Sequence, residues 1–209
     1  MSLVLLHGLG QTPADWDGVL AAMGPGKGAC CPDLPALLRS REAVYPALYQ
    51  ALSAQLEALP GPLDLGGLSL GAVLALHYAL DHPDHVRALA LAAPQITMPR
   101  RLLAVQDLVF RLLPQRAFGS TGFSKAAFRR LTASMAELDF RHQVPSLRCP
   151  VLVVCGAGDR ANRRAAQELH SLLPTSALHL LQGAGHEVNR DAPQALGALL
   201  DAFFTQSTE

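Results

Sequence analysis

Short uninterrupted runs of apolar residues recur along this chain, and most are followed by a stretch with apolar residues every three or four positions. An uninterrupted run predicts a strand of a parallel sheet that is covered on both faces, whereas the longer spacing predicts an amphipathic helix. The predicted strands are Ser2 to Leu6, Ala29 to Cys31, Leu63 to Leu65, Val86 to Leu91, Val151 to Cys155 and Ala177 to Leu181. This alternation predicts an α/β fold, with helices on both faces of a mostly parallel sheet of about six strands.

Proline, glycine and capping residues mark where the predicted helices begin and end. Thr12-Pro13 is typical of a helix start, and the helix that it opens extends to about Met23. The longest helical pattern covers roughly Arg41 to Leu59 and is ended by Pro60-Gly61-Pro62. Further helices are predicted at Leu70 to Leu80, Ala161 to Leu173 and Pro193 to Phe204.

One segment, about 95–148, interrupts the alternation of strand and helix. It contains helical patterns around Arg101 to Leu113 and around Ser124 to Leu138, but no apolar run typical of a buried strand. A chain of 209 residues is long enough for one domain with a sizeable core. We therefore expect residues 1–209 to form a single domain in which 95–148 is a small helical cap.

Composition narrows the classes of partner. The 17 Lys and Arg residues balance the 17 Asp and Glu residues, so neither a nucleic acid nor an anionic membrane is an expected partner. The sequence lacks both a signal-peptide pattern and an apolar run of about 18 residues, which favours a cytoplasmic location. The four cysteines have neither disulfide-framework nor zinc-ligand spacing, so we expect no metal site. No pattern in the sequence indicates an oligomeric state.

The charge is unevenly distributed, because the predicted cap is basic. Residues 100–141 contain eight Lys and Arg residues against three Asp and Glu residues. A solvated helix face explains such an excess, and so does a cap that attracts substrates bearing a carboxylate or phosphate.

Residues able to support nucleophilic catalysis follow three of the predicted strands. Ser69 lies in Gly67-Leu68-Ser69-Leu70-Gly71, between a strand and a helix, where a tight turn would expose its hydroxyl. Asp159 and His186 each follow a later strand, in glycine-rich loops. Because the carboxyl ends of parallel strands meet at one edge of the sheet, these three side chains are expected to converge. A serine needs such a base, and the base needs an acid to orient it.

These motifs resemble those of the α/β-hydrolase family, in its single-domain form with a short helical cap. Ser69 matches the G-x-S-x-G nucleophile elbow, His7-Gly8 the oxyanion-loop motif, and Gly156-Ala157-Gly158-Asp159 and Gly185-His186 the acid and histidine loops. The order serine, acid, histidine is also that of the family. The chain departs from the family pattern in two respects. The strand pair that usually precedes the His-Gly strand is lacking, and Asp33-Leu34-Pro35-Ala36-Leu37 replaces the family's frequent D-x-x-G-x-G turn.

The resemblance implies a serine hydrolase that needs no cofactor. Ser69 would be the nucleophile, His186 the general base and acid, and Asp159 the acid that orients the imidazole. The backbone N–H groups of Leu9 and Leu70 would form the oxyanion hole, while His7 would brace the oxyanion loop. The expected partner is a small-molecule acyl substrate, with a carboxylester as the leading candidate.

Apolar residues near the predicted site are candidates for an acyl pocket. Packing within the core is the alternative interpretation for each of them. For Asp159, a helix N-cap is an alternative interpretation that is compatible with a place in the triad. The candidates for substrate binding are Trp16, Met98, Leu103, Phe110, Phe123 and Phe128.

Other functions remain open at the level of sequence. The same fold and triad would suit a non-hydrolytic ligand-binding or signalling protein, or a C–C hydrolase, thioester hydrolase or lyase acting on an anionic metabolite. Residues 156–161 also match the G-x-G-x-x-A form of a dinucleotide fingerprint. Against that interpretation, the next strand ends in Leu181-Gln182, without the acidic residue that a ribose requires.

Overall fold

A parallel sheet forms the centre of the protein in this computed structural model, which describes residues 2–24, 27–39, 41–98, 112, 114 and 122–207. Its strands lie in the order in which they occur along the chain. They are β1 (Ser2–Leu6), β2 (Leu63–Leu68), β3 (Val86–Ala92), β4 (Val151–Gly156) and β5 (Ala177–Leu181). The predicted α/β class with a mostly parallel sheet is confirmed.

The predicted strand at Ala29 to Cys31 is reduced to a single bridge beside β1. The Cys30 N–H donates to the Leu3 carbonyl at 2.8 Å, and the Leu5 N–H donates to the Cys30 carbonyl at 3.0 Å. In a parallel ladder the next donor on this segment would be residue 32, two positions further on. That residue is Pro32, which has no N–H, so the pairing ends after one residue.

Helices cover both faces of the sheet, and the predicted ones occur with ends that differ by a few residues. A 3₁₀ turn at Pro13–Trp16 precedes the first of them, and another lies at Val144–Ser146. The helices are α1 (Asp17–Ala22), α2 (Leu34–Leu37), α3 (Tyr45–Glu57), α4 (Leu70–Asp81), α5 (Lys125–Ser134), α6 (Arg160–Leu172), α7 (Val188–Asp191) and α8 (Pro193–Gln206). The short helices α2 and α7 were not predicted. The helix predicted around Arg101 to Leu113 lies outside the described residues, apart from Leu112, which is helical.

Two apolar clusters form the core, one on each face of the sheet. Leu89 and Leu91 of β3 point into the cluster beneath α3, α4 and α5, whereas Ala88 and Ala90 point into the cluster beneath α1 and α8. This is the two-residue alternation of a strand. The alanine face leaves room for Trp16, which is buried in the second cluster.

Segment 95–148, which lies between β3 and β4 and is called the insertion below, pairs with itself near its beginning. The Phe140 N–H donates to the Ile96 carbonyl at 2.8 Å, and the Met98 N–H donates to the Leu138 carbonyl at 3.2 Å. Helix α5 is joined to α3, because the Ser134 hydroxyl accepts the backbone N–H of Tyr45 at the start of α3. Among the described helices, none has the length and apolar character needed to cross a membrane.

A largely buried ion pair joins β2, β3 and the end of α8. The Arg87 guanidinium lies 2.5 Å from the Asp64 carboxylate and also donates to the Phe204 carbonyl at 2.9 Å. The side chains of Arg87 and Asp64 are only 12% and 10% exposed. Removal of the cation would therefore leave a carboxylate in a poorly solvated position without its counterion.

We expect Arg87→Ala to lower the free energy of unfolding by about 3–5 kcal/mol, as measured by urea denaturation. The matched control is Arg148→Ala, which removes an exposed pair with Asp84, and its cost should stay below about 1 kcal/mol. Equal losses in the two variants would contradict a special role for the buried pair.

Candidate active site

Ser69 occupies a strained turn between β2 and α4. Its φ of 53° and ψ of −111° are unusual for a residue with a side chain, and such a conformation costs roughly 1–3 kcal/mol. The surrounding backbone stabilises it, because the Ser69 N–H donates to the Ala92 carbonyl at 2.9 Å and the Ser69 carbonyl accepts from Val73 at 3.0 Å. The turn directs the Ser69 hydroxyl to the carboxyl edge of the sheet, where His186 lies.

Two glycines make this turn possible by allowing backbones to approach closely. A Cβ atom on Gly71 would lie 2.1 Å from the Leu6 carbonyl oxygen, and one on Gly67 would lie 2.3 Å from the Gly71 carbonyl group. Real Cβ atoms do not come so near to backbone atoms. The start of α4 therefore packs directly against the end of β1, which brings Leu70 next to the loop that follows β1.

The structure brings the three predicted catalytic side chains into one hydrogen-bonded series. His186 Nε2 lies 3.1 Å from the Ser69 Oγ, and His186 Nδ1 lies 2.7 Å from the Asp159 Oδ2. A carboxylate only accepts hydrogen bonds, so the proton lies on Nδ1 and Nε2 is left to accept from the hydroxyl. The Asp159 side chain is 5% exposed and that of His186 is 44% exposed, so the base is accessible while the acid is enclosed.

Close backbone contact also holds the Asp159 and His186 loops together. The Ala157 N–H donates to the Leu181 carbonyl at 2.8 Å, and the Gly158 N–H donates to the Ala184 carbonyl at 2.9 Å. A Cβ atom on Gly156 would lie 2.0 Å from the Gly185 carbonyl oxygen. These contacts continue the pairing of β4 with β5 into the loops and determine the separation of acid and base.

Asp159 has two structural roles at once. Its Oδ1 accepts the backbone N–H of Asn162 at 3.1 Å, which is the N-cap interaction of α6, while its Oδ2 accepts from His186 and from the Asn162 side chain at 2.7 Å. Burial by itself would raise the pKa of Asp159, but the hydrogen bonds from His186 and Asn162 outweigh it and lower the pKa. The carboxylate is therefore ionised at neutral pH.

His7 is a neutral, fully buried histidine with both ring nitrogens engaged. Its Nδ1 lies 2.9 Å from the Gly8 carbonyl oxygen, and its Nε2 accepts the backbone N–H of Leu34 at 3.2 Å. An acceptor at Nε2 and a donor at Nδ1 define a single neutral tautomer. Burial lowers the pKa of His7, which favours this neutral form. The ring joins the loop after β1 to the start of α2.

A reciprocal pair of amides, which sequence analysis missed, joins the same loop to the histidine loop. The Gln11 side chain accepts the Gly8 N–H at 3.0 Å and donates to Asn189 Oδ1 at 3.0 Å, while Asn189 Nδ2 donates back to Gln11 at 3.2 Å. The Gly8 N–H therefore already has a hydrogen-bond partner, and the next backbone N–H along the loop is that of Leu9. Leu70 is the first residue of α4, where an N–H has no partner within the helix.

The described residues among the predicted pocket candidates are buried in the core. Met98, Phe123 and Phe128 are buried in the core cluster beneath α3 and α4, and Trp16 is 1% exposed in the opposite cluster. All of them contribute to core packing. Leu103 and Phe110 lie outside the described residues, as do four of the eight Lys and Arg residues of 100–141, namely Arg100, Arg101, Arg111 and Arg116.

Comparison with known proteins identifies relatives over nearly the whole chain. The family model described as "Alpha/beta hydrolase family" matches residues 3–199. A pimeloyl-[acyl-carrier protein] methyl ester esterase of Vibrio vulnificus is 28% identical, over 88% of this chain and 86% of its own. A putative carbamate hydrolase, RutD, of Escherichia coli O157:H7 is 27% identical, over 95% of this chain and 89% of its own.

A solved structure supports the same fold. The thermophilic esterase of Thermogutta terrifontis superposes with a TM-score of 0.80 at 18% identity, covering 100% of this chain and 91% of the esterase. At that level of identity the likeness concerns the fold alone.

We expect Gly71→Ala to destabilise the protein by about 1–3 kcal/mol or more, because the new methyl group would force α4 away from β1. Thermal and urea denaturation measure the effect. Gly28→Ala is the matched control, since a Cβ atom there meets nothing within 4 Å and its effect should be close to zero. Wild-type stability in Gly71→Ala would show that the close approach is not required.

Stability should also fall in mild acid because of His7. An unfolded histidine has a pKa of about 6.5, above that of His7 in the folded protein, so below this pH the unfolded chain binds more protons. The free energy of unfolding, compared at pH 7.5 and pH 5.5, should therefore decrease less in His7→Gln than in the wild type. His142→Gln, at an exposed histidine, should keep the wild-type decrease. An unchanged decrease in His7→Gln would contradict the assignment.

Proposed function

The chain belongs to the α/β hydrolase family and is a hydrolase, and we propose that it is a serine hydrolase that cleaves a small carboxylester through an acyl-enzyme on Ser69. The observation that carries this proposal is the series of hydrogen bonds from Ser69 through His186 to Asp159, at 3.1 Å and 2.7 Å. A serine hydroxyl is a weak nucleophile until a base removes its proton, and this geometry supplies the base and its orienting acid.

The proposed reaction proceeds in two halves. Ser69 Oγ attacks the acyl carbon while its proton passes to His186 Nε2. The tetrahedral intermediate then expels the alcohol, which takes that proton, and the acyl group stays on Ser69. In the second half, water loses a proton to His186 and attacks the acyl carbon, so that the acid leaves and Ser69 regains its proton. Asp159 stays ionised and stabilises the imidazolium in both halves.

The oxyanion of each intermediate would be bound by the N–H groups of Leu9 and Leu70. Support comes from the close packing of α4 against the end of β1, since a Cβ atom on Gly71 would lie 2.1 Å from the Leu6 carbonyl oxygen and 2.9 Å from that of His7. The position of Leu70 at the N-terminus of α4 adds the favourable end of the helix dipole. Loss of one such donor typically costs about 100- to 1,000-fold in rate.

The proposed carboxylester substrate is supported by the relative named as a methyl ester esterase. A carbamate is a second candidate, since the relative named as a putative carbamate hydrolase aligns with 95% of the chain. Both substrates present an acyl carbon to the same nucleophile. The insertion at 95–148, which we propose to act as a cap, would then select among them.

A fluorophosphonate probe tests the nucleophile directly. We expect it to label the wild type and not Ser69→Ala, and turnover of p-nitrophenyl esters to be lost in the same variant. Asp159→Asn should lower kcat by about 10,000-fold, because the imidazole would then adopt the wrong tautomer. Ser171→Ala, at an exposed serine on α6, is the matched control and should keep full labelling.

Absence of labelling in folded wild-type protein would favour a binding protein on this fold. Labelling that persists in Ser69→Ala would assign the nucleophile elsewhere. A series of p-nitrophenyl esters, thioesters and carbamates of increasing acyl length would then rank the substrate classes. Neutral and carboxylate-ended acyl groups of equal length, compared at low and high salt, would test whether the basic insertion attracts anions.

A further inference from the structure

A second pair of side-chain amides lies on the acid side of the site, and the proposed mechanism leaves it without a role. Asn162 is in the first turn of α6 and is 8% exposed. Its Nδ2 donates to Asp159 Oδ2 at 2.7 Å, and its Oδ1 accepts from the Gln95 side chain at 2.5 Å. Gln95 lies just beyond the end of β3, where the insertion begins.

The Asp159 carboxylate and the Gln95 amide together determine which way the Asn162 amide faces. With Nδ2 towards Asp159 and Oδ1 towards Gln95, both contacts join a donor to an acceptor. The reverse orientation would place an amide oxygen against a carboxylate oxygen and an NH₂ group against the NH₂ of Gln95. Both contacts would then be repulsive, so a single orientation of Asn162 is stable.

The Asn162 amide also lies against His186. Asn162 Nδ2 is 2.9 Å from His186 Nδ1, and both atoms donate to the same Asp159 Oδ2 when the imidazole carries its proton on Nδ1. The two donors therefore share one acceptor. Asn162 consequently limits how strongly Asp159 binds the imidazole, and it blocks movement of the ring along the carboxylate.

We propose that Asn162, oriented by Gln95, is a positioning residue that sets the direction and strength of the hydrogen bond between Asp159 and His186. This inference rests on the proposed serine-hydrolase function. It adds that the first residues of the insertion are connected to the acid of the triad through two amides.

The other polar and titratable groups around the acid have different partners. Arg163 donates to the Ala157 carbonyl at 3.2 Å, and Glu187 accepts from Arg190 and Gln11. Cys155 lies in β4, and burial and then the charge of Asp159 raise the pKa of its thiol to about 11, so it is neutral. Asn162 differs from these groups in that its side chain donates to the Asp159 carboxylate, and it can therefore adjust the Asp159–His186 bond.

Asn162→Ala should lower kcat by roughly 10- to 100-fold, because misalignment of a catalytic group acts on the chemical step. KM should change by less than about twofold, since Asn162 is not proposed to touch the substrate. The proton on His186 Nδ1 should resonate further downfield in the NMR spectrum, because Oδ2 loses a competing donor. Gln95→Leu should produce smaller changes in the same directions.

Gln95→Glu provides a sharper comparison with Gln95→Leu. The new carboxylate would repel Asn162 Oδ1 and compete with Asp159 for the Asn162 NH₂ group, so that it would weaken the contact of Asn162 with Asp159 as well as remove the one with Gln95. The loss in kcat should therefore be larger than in Gln95→Leu, although both variants lack the original hydrogen bond. Gln167→Ala, at an exposed position on α6, is the matched control and should leave kcat, KM and the resonance unchanged.

The inference is overturned if Asn162→Ala lowers only the free energy of unfolding, with kcat and the Nδ1 proton resonance at their wild-type values. It is also overturned if Gln95→Glu and Gln95→Leu are indistinguishable. Failure of the proposed function is recognised separately, by the absence of fluorophosphonate labelling in the wild type. The resonance needs no turnover, so it tests the role of Asn162 in that case as well.

Discussion

The direct packing of the α4 N-terminus against the end of β1 is the constraint on which the rest of the site depends. No side chain separates the two, since a Cβ atom on Gly71 would overlap the Leu6 carbonyl oxygen. The approach fixes the turn in which Ser69 has a positive φ, and it brings the N-terminus of α4 to the loop after β1. The proposed nucleophile and the proposed oxyanion donors therefore derive their positions from one backbone contact.

Around this contact, hydrogen bonds between loops hold the other groups. The neutral His7 ring joins the loop after β1 to α2, and the Gln11–Asn189 pair joins the same loop to α7. On the opposite side, the Asn162 side chain joins the segment that follows β4 to Gln95, which follows β3. Buried polar groups must find partners, and here the partners come from different strand ends. Every loop of the site is thus tied to at least one other.

His7 and Asp159 are both buried titratable groups of the site, but their surroundings leave the first neutral and the second ionised. Burial lowers the pKa of His7 and leaves it neutral, whereas the hydrogen bonds to Asp159 outweigh burial and keep that carboxyl ionised. The His186 side chain, by contrast, is 44% exposed. A neutral structural histidine and a solvent-accessible one in contact with a carboxylate suit bracing and proton transfer, respectively.

The sequence by itself determined the fold class and the family, because apolar runs, glycines and motif order are local properties. It predicted Ser69, Asp159 and His186 as a set, and the structure brings them within hydrogen-bonding distance. Gln11, Gln95 and Asn162 carry no such local signal, since each acquires a partner from a distant part of the chain. For Trp16 and Phe128 the sequence left a pocket wall and core packing open, because an apolar residue looks alike in both, and the structure buries both side chains. Only the tertiary structure decided these positions, because burial and hydrogen-bond partners depend on how the strand ends and helices are brought together.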